Sequence, residues 1–229
     1  MSRIESLRIS GPAGPLEAIL KRPSSGDPAF TALVCHPHPL HGGTMHNKVV
    51  FHLARALGEL GAPVLRFNFR GVGASAGSHD RGVGERADVA AALDHLARDY
   101  TELPICLAGF SFGSWVGSMV GCSDPRVTQI VAAGTPTRMF SNAAFVTCSK
   151  RKLFVQGGAD EHGPAQELEA FVRRLPEPKA LCVIPEADHF FTGHADELRE
   201  AVAGYFALEG LPPALTHMER VRGPSNSHR

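Results

Sequence analysis

Residues 105–122 read ICLAGFSFGSWVGSMVGC. The first six, ICLAGF, make an apolar run of strand length, while SWVGSMVGC reads as a helix, with glycines at 109 and 113 in the turn between them. An apolar run of this kind suits a strand buried on both faces. A strand that enters a helix through so few residues needs a sharp turn. Such a turn lifts the side chain of its central residue, Ser111, above the sheet edge in a strained backbone conformation. Glycines two positions to either side remove side chains that would strike neighbouring backbone. Gly113, Gly117 and Gly121 also recur every four residues, which lines them along one helix face and lets the helix approach the sheet despite glycine's low helix propensity.

Working outward, the same kind of run recurs as TALVCH (31–36), PVLRFNF (63–69), VTQIVAAG (127–134), KLFVQG (152–157) and KALCVIP (179–185). Helical patterns fall between the runs, at about 46–60, 84–98, 164–175 and 194–208. The first places Val49, Val50, Leu53, Leu57 and Leu60 on one stripe and stops at Gly61, a residue suited to a left-handed cap. At the start, residues 3–10 and 15–22 flank the turn-forming GPAGP and read as a hairpin. Strand and helix alternate after that. The expectation is therefore an α/β fold: a mostly parallel, twisted sheet with an antiparallel N-terminal hairpin and helices on both faces. Residues 1–208 form one domain in this reading. From 209 to 229, prolines and polar residues replace periodicity, which reads as a flexible, solvated tail that includes Arg220, Arg222 and Arg229.

A chain of 229 residues with 43% hydrophobic content can bury one substantial core. Its 23 basic residues balance 23 acidic ones, so no overall field attracts nucleic acid or an anionic membrane, and neither is expected as a partner. The opening MSRIESLRIS lacks the apolar stretch of a secretion signal, and no run reaches bilayer length; a soluble, cytoplasmic protein is expected. Cys35, Cys106, Cys122, Cys148 and Cys182 are odd in number and form no C-x-x-C pair. Those at 35, 106 and 182 lie inside strand-like runs, where a thiol acts as a small buried hydrophobe.

Two segments match G-x-S-x-G: GFSFG at 109–113 and GASAG at 73–77. Context separates them, because this pattern carries chemistry only between a strand and a helix. Ser75 follows its strand by several residues and precedes the polar, glycine-rich SHDRGVG, so it reads as a loop serine near the carboxyl edge of the sheet. Gly71, Gly73 and Ala76, with Asp94 further on, also satisfy a dinucleotide fingerprint. The glycines do not open a helix, however, so a pyrophosphate would lack its helix N-terminus.

Ser111 at neutral pH is a poor nucleophile until a general base takes its proton, and that base is usually oriented by a third group. Both partners are available: Asp160 in QGGAD follows one strand, and His189 in PEADHFF follows the next. Glu161, His162, Asp188 and His194 are rivals. Asp188 adjoins His189 and would need an awkward fold-back to reach its ring, while His162 and His194 read as surface residues. An oxyanion needs backbone N–H donors. Phe112, directly after Ser111 at a helix start, supplies one. The other is expected from PHPLHGGTMHN, where Pro37 and Pro39 have no N–H, leaving His38 or, as the alternate, Leu40. His36, His38, His41 and His46 crowd this stretch, but they lack the helical H-x-x-x-H frame of a catalytic zinc site, and no metal is expected.

CHPHPLHGGTMHNKVV, RFNFRGVGASAG, GFSFG, GGAD and ADHFF, spread over residues 30–194, together resemble the α/β-hydrolase superfamily, and within it small bacterial hydrolases related to dienelactone hydrolases. The resemblance implies a Ser-His-Asp triad carried by Ser111, His189 and Asp160. The dienelactone branch uses cysteine in the elbow; Ser111 here points to ordinary esters instead. Only 135–151 connects two strands where many members carry a helical lid, so no large cap domain is expected. The implied function is a carboxylesterase-like serine hydrolase acting on a small-molecule ester without a cofactor. Leu40, Met45, Trp115 and Phe190, with Met139, Phe140 and Phe191, are candidates to line the acyl pocket, although such residues also pack sheet against helix. A thioesterase, lactonase or peptidase with the same triad, and a non-catalytic binding protein of the same fold, are the alternatives.

Overall fold

The computed structural model describes residues 3–23 and 26–207; the tail expected at 209–229 lies outside them. Two long strands, β1 (Arg3–Gly11) and β2 (Gly14–Arg22), pair as an antiparallel hairpin from Arg3 opposite Arg22 to Gly11 opposite Gly14. The chain then alternates: β3 (Thr31–Cys35), α1 (Lys48–Glu59), β4 (Val64–Phe67), α2 (Val83–Asp99), β5 (Ile105–Phe110), α3 (Phe112–Gly121), β6 (Val127–Ala133), β7 (Arg151–Gly157), α4 (Ala165–Val172), β8 (Lys179–Ile184) and α5 (Ala195–Ala207). Among the described residues these strands form one eight-stranded sheet in the order β1-β2-β4-β3-β5-β6-β7-β8. β4 pairs antiparallel with β2, and from β4 onward all pairings are parallel. The expected α/β architecture with its antiparallel start is the one observed.

Alternation along each strand sorts the core into two layers. Leu33, Cys35, Ile105 and Leu107 face one side, where they meet Val89, Leu93 and Leu96 of α2, Val116 of α3 and Leu168 of α4. Ala32, Val34, Cys106 and Ala108 face the other, against Val49, Val50, Leu53 and Leu57 of α1 and Leu198, Val202 and Tyr205 of α5. Because helices cover both faces, the central strands carry apolar residues on both sides, which is why they read as largely apolar runs.

Asn47 caps α1 by accepting from the N–H groups of Val49 (2.9 Å) and Val50 (3.4 Å), so the helix begins two residues later than its apolar pattern suggests. Gly61 sits at φ 87° just past its end, as a left-handed cap requires. The run PVLRFNF overshoots its strand: Asn68 donates from its backbone to Glu17 O (2.8 Å) and Phe69 to the His36 ring (3.0 Å), both outside the parallel ladder. Between β6 and β7 the chain carries one short 3-10 turn, Ala143–Thr147, and no cap domain. Among the described residues, no helix is long and apolar enough to cross a membrane.

Candidate active site

The carboxyl ends of β3, β5, β6, β7 and β8 converge on one edge, and the site is assembled from the loops leaving them. Ser111 follows β5 directly. Its backbone is at φ 53°, ψ −119°, a region that costs a non-glycine residue roughly 1–3 kcal/mol. Its N–H is tied to Ala133 O (2.9 Å) at the end of β6. The flanking glycines are there for lack of space. A Cβ on Gly109 would lie 2.4 Å from Gly113 O, and one on Gly113 would lie 2.4 Å from Cys35 O. Further along α3, a Cβ on Gly117 would lie 2.5 Å from Leu107 Cδ2, so this glycine too brings helix and sheet together.

Two more glycines bring the loop after β7 against the loop after β8. A Cβ on Gly157 would fall 2.3 Å from Ala187 O, and one on Gly158 would fall 2.0 Å from Pro185 O. Packed this closely, the loops set His189 Nδ1 2.8 Å from Asp160 Oδ2 and His189 Nε2 3.0 Å from Ser111 Oγ. The three residues are 9% (Ser111), 6% (His189) and 3% (Asp160) exposed. Asp160 Oδ2 is an acceptor, so Nδ1 carries the ring proton and the Nε2 lone pair faces the serine hydroxyl. Asp160 Oδ1 accepts from the N–H groups of His162 (2.8 Å) and Gly163 (3.0 Å).

Two of the rivals, Asp188 and His194, have other partners. Asp188 Oδ1 accepts from the N–H groups of Phe190 (3.0 Å) and Thr192 (2.9 Å), which shapes the histidine loop and holds its carboxyl below the usual range. His194 pairs with Glu197 at 3.2 Å. His162 is exposed, yet its ring stands edge-on to His189 with centroids 4.6 Å apart, a contact that its surface position did not foretell. Ser75 Oγ donates to Asn68 O (2.7 Å) and accepts from Glu17 N (2.9 Å), so its hydroxyl is committed to backbone. Asp94 pairs with Arg126 (2.7 Å).

Phe112 opens α3, so its N–H lies where a helix has no internal acceptor. The loop after β3 packs beside it, with the His38 and Phe112 ring centroids 4.9 Å apart. Leu40 N–H donates to His38 Nδ1 (3.2 Å), whereas His38 N–H has no backbone acceptor among the described residues. Burial first, then the neighbouring His41 and His79, lowers the His38 imidazole below its ordinary value. His36 is wholly structural: Nδ1 donates to Pro37 O (2.7 Å) and Nε2 accepts from Phe69 N–H (3.0 Å). Burial pushes it down to about 4, the hydrogen bond to Pro37 opposing only in part. Among the described residues no three His, Cys, Asp or Glu side chains converge to hold a metal ion.

The residues expected to line a pocket divide. Leu40 and Phe190 are 71% and 55% exposed, and Met139 is also exposed. Trp115 stacks on Phe140 (centroids 4.3 Å apart, 12° between planes) and donates from Nε1 to Ser141 O (2.9 Å). Met45 and Phe191 are buried at 2% and 3%. Met45 borders a recess of about 470 Å³ with Ser6, Arg8, Glu17 and His46, on the hairpin side. One residue was missed. Gln156, fully buried in β7, donates from Nε2 to Asp160 Oδ2 (2.8 Å). Its only signal in the sequence was a polar side chain inside an apolar run.

A parallel sheet with a serine on a strained turn after its central strand, and an imidazole and a carboxylate in sequence behind it, defines the serine-hydrolase class of α/β proteins. Residues 32–201 match the alpha/beta hydrolase domain model, and the chain belongs to that family. It is similar to an alpha-beta serine hydrolase homologue from Coxiella burnetii (42% identity, 87% of this chain and 96% of that one, TM-score 0.83). It is similar also to XC6422 from Xanthomonas campestris, a serine hydrolase without a lid (34% identity, 90% and 94% of the chains, TM-score 0.84). A protein of Rickettsia prowazekii, RP471, is 35% identical over 206 residues, 86% of each chain. Hydrolysis is the class of reaction this family membership supports.

Proposed function

We propose that the protein is a carboxylesterase-like serine hydrolase that transfers an acyl group from a small or medium ester to water. The observation that carries this reading is the position of His189, 3.0 Å from the hydroxyl of a serine held at positive φ and 2.8 Å from a buried carboxylate. Ser111 Oγ attacks the ester carbonyl carbon while its proton passes to His189 Nε2. The negative charge that forms on the carbonyl oxygen is met by the N–H groups of Phe112 and His38. Collapse expels the alcohol oxygen, which takes the proton from Nε2 and leaves an acyl-serine. Water then repeats the sequence: its proton goes to Nε2, the acid departs, and the proton returns to Ser111. Asp160 holds the imidazole in the required tautomer throughout and accepts no proton. No step in this sequence calls for a cofactor.

Phe190, exposed and with its ring 5.3 Å from that of His189, is an apolar side chain at the site suited to meet an acyl chain. Ester cleavage in the cytoplasm fits the lack of disulfides among the described residues, since disulfides are rare in that compartment. A fluorophosphonate probe and p-nitrophenyl butyrate test the proposal together. Labelling at Ser111 with turnover is the expected result. Absence of both, in protein that is folded, would mean a hydrolase-like binding protein instead.

A further inference from the structure

Six of the seven residues of β7 are buried, and one of them, Gln156, is an amide. Burying an amide is unfavourable unless it is hydrogen-bonded. Gln156 Nε2 donates to Asp160 Oδ2 (2.8 Å) and Gly163 O (2.6 Å), and Oε1 accepts from Thr135 N–H (2.8 Å). Exchanging N and O would set an oxygen against two acceptors and an NH2 group against an N–H, so the orientation is fixed. Glycine at 163 makes room for the bridge: a Cβ there would lie 2.0 Å from Thr135 O and 2.8 Å from Gln156 Nε2.

The Asp160 oxygen that Gln156 holds is the one that contacts His189. The backbone donors of His162 and Gly163 anchor only Oδ1, and a carboxylate pinned at one oxygen still swings the other. Gln156 supplies the second fixed point, from a strand rather than a loop. We propose that Gln156 is a positioning residue that acts through Asp160, keeping Oδ2 in line with His189 Nδ1 while the imidazole gains and loses its proton. This inference rests on the Ser111–His189–Asp160 reading above.

The test is a double-mutant cycle on the full chain with p-nitrophenyl butyrate, combined with proton NMR of the downfield His189 Nδ1–H resonance. Gln156→Leu should lower kcat ~10–100-fold, the scale of a small misplacement of a reacting group, with KM within about twofold. On an Asp160→Ala background the same change should alter kcat by less than about twofold, because its route of action is already gone. The resonance should shift or broaden in Gln156→Leu. An equal loss of kcat in both backgrounds, or an unmoved resonance, would overturn the proposal in favour of a general packing role. Should Gln156→Leu not fold, Gln156→Glu keeps the shape and the acceptor for Thr135 N–H, and the same two measurements decide. Full activity of Asp160→Ala would overturn the acid assignment itself, a result distinct from any change at 156. The resonance requires no turnover, so it tests the coupling even if this ester is a poor substrate.

Discussion

Gly113 rests on the main chain of Cys35 so closely that a methyl group there would sit 2.4 Å from the Cys35 carbonyl oxygen. Backbone cannot yield as a flexible side chain can. Gly113→Ala is therefore expected to destabilise the protein by ~1–3 kcal/mol or more and to move the Ser111 turn. Thermal unfolding should show a Tm lower by several degrees, roughly 2–4 °C for each kcal/mol in a domain of this size. The labelling rate of Ser111 should fall with it. An unchanged Tm would mean that α3 is free to lift from β3.

The two serines should part cleanly. Ser111→Ala is expected to lower ester turnover by at least ~10³-fold with Tm nearly unchanged. Ser75→Ala should retain most activity yet lose ~1–2 kcal/mol, because Asn68 O and Glu17 N–H each lose a buried partner. A dead Ser75 variant beside an active Ser111 variant would reverse the choice of nucleophile.

His189→Ala should be inactive. Asp160→Asn should fold, since an amide fits the same space, but lose ~10⁴-fold in kcat by favouring the wrong imidazole tautomer. His194→Ala should leave kcat/KM unchanged. His162→Ala removes only an edge contact with the His189 ring, so its effect should stay within about threefold. A large loss at His162 with little at Asp160 would point to a different partner for the imidazole.

Stability should fall on the acid side because of His36. Its folded value lies at about 4 against an ordinary 6.5, so the unfolded chain binds the extra proton first. The stabilisation is complete above pH 6.5 and is lost as pH falls toward 4, to a limit of about 3 kcal/mol. Urea unfolding at pH 7.5, 5.5 and 4.5 measures the slope. His36→Gln should be less stable at pH 7.5 and flatter between 6.5 and 4.5; an equal slope in the variant would assign the acid sensitivity elsewhere.

Much of this was legible in the sequence, for a local reason. The strands of a doubly covered sheet show as continuous apolar runs, and the turn at Ser111 carries its own glycines, so strand order and elbow could be read from short segments. Boundaries slipped where a group distant in sequence intervened, as when Asn68 and Phe69 left the parallel ladder for the Glu17 carbonyl and the His36 ring. Gln156 stayed hidden because its partners, Thr135 and Gly163, belong to other segments and an isolated glutamine does not declare them.

The span between β6 and β7 borders the site and contributes no strand to the sheet. Whatever is spliced beyond Thr135, whose N–H is bonded to Gln156, can alter which molecules gain admission while the reacting groups stay where they are. Selectivity and reactivity can thus diverge independently in descendants of this scaffold, and a designer seeking a new preference would begin at Ser141 rather than at Ser111.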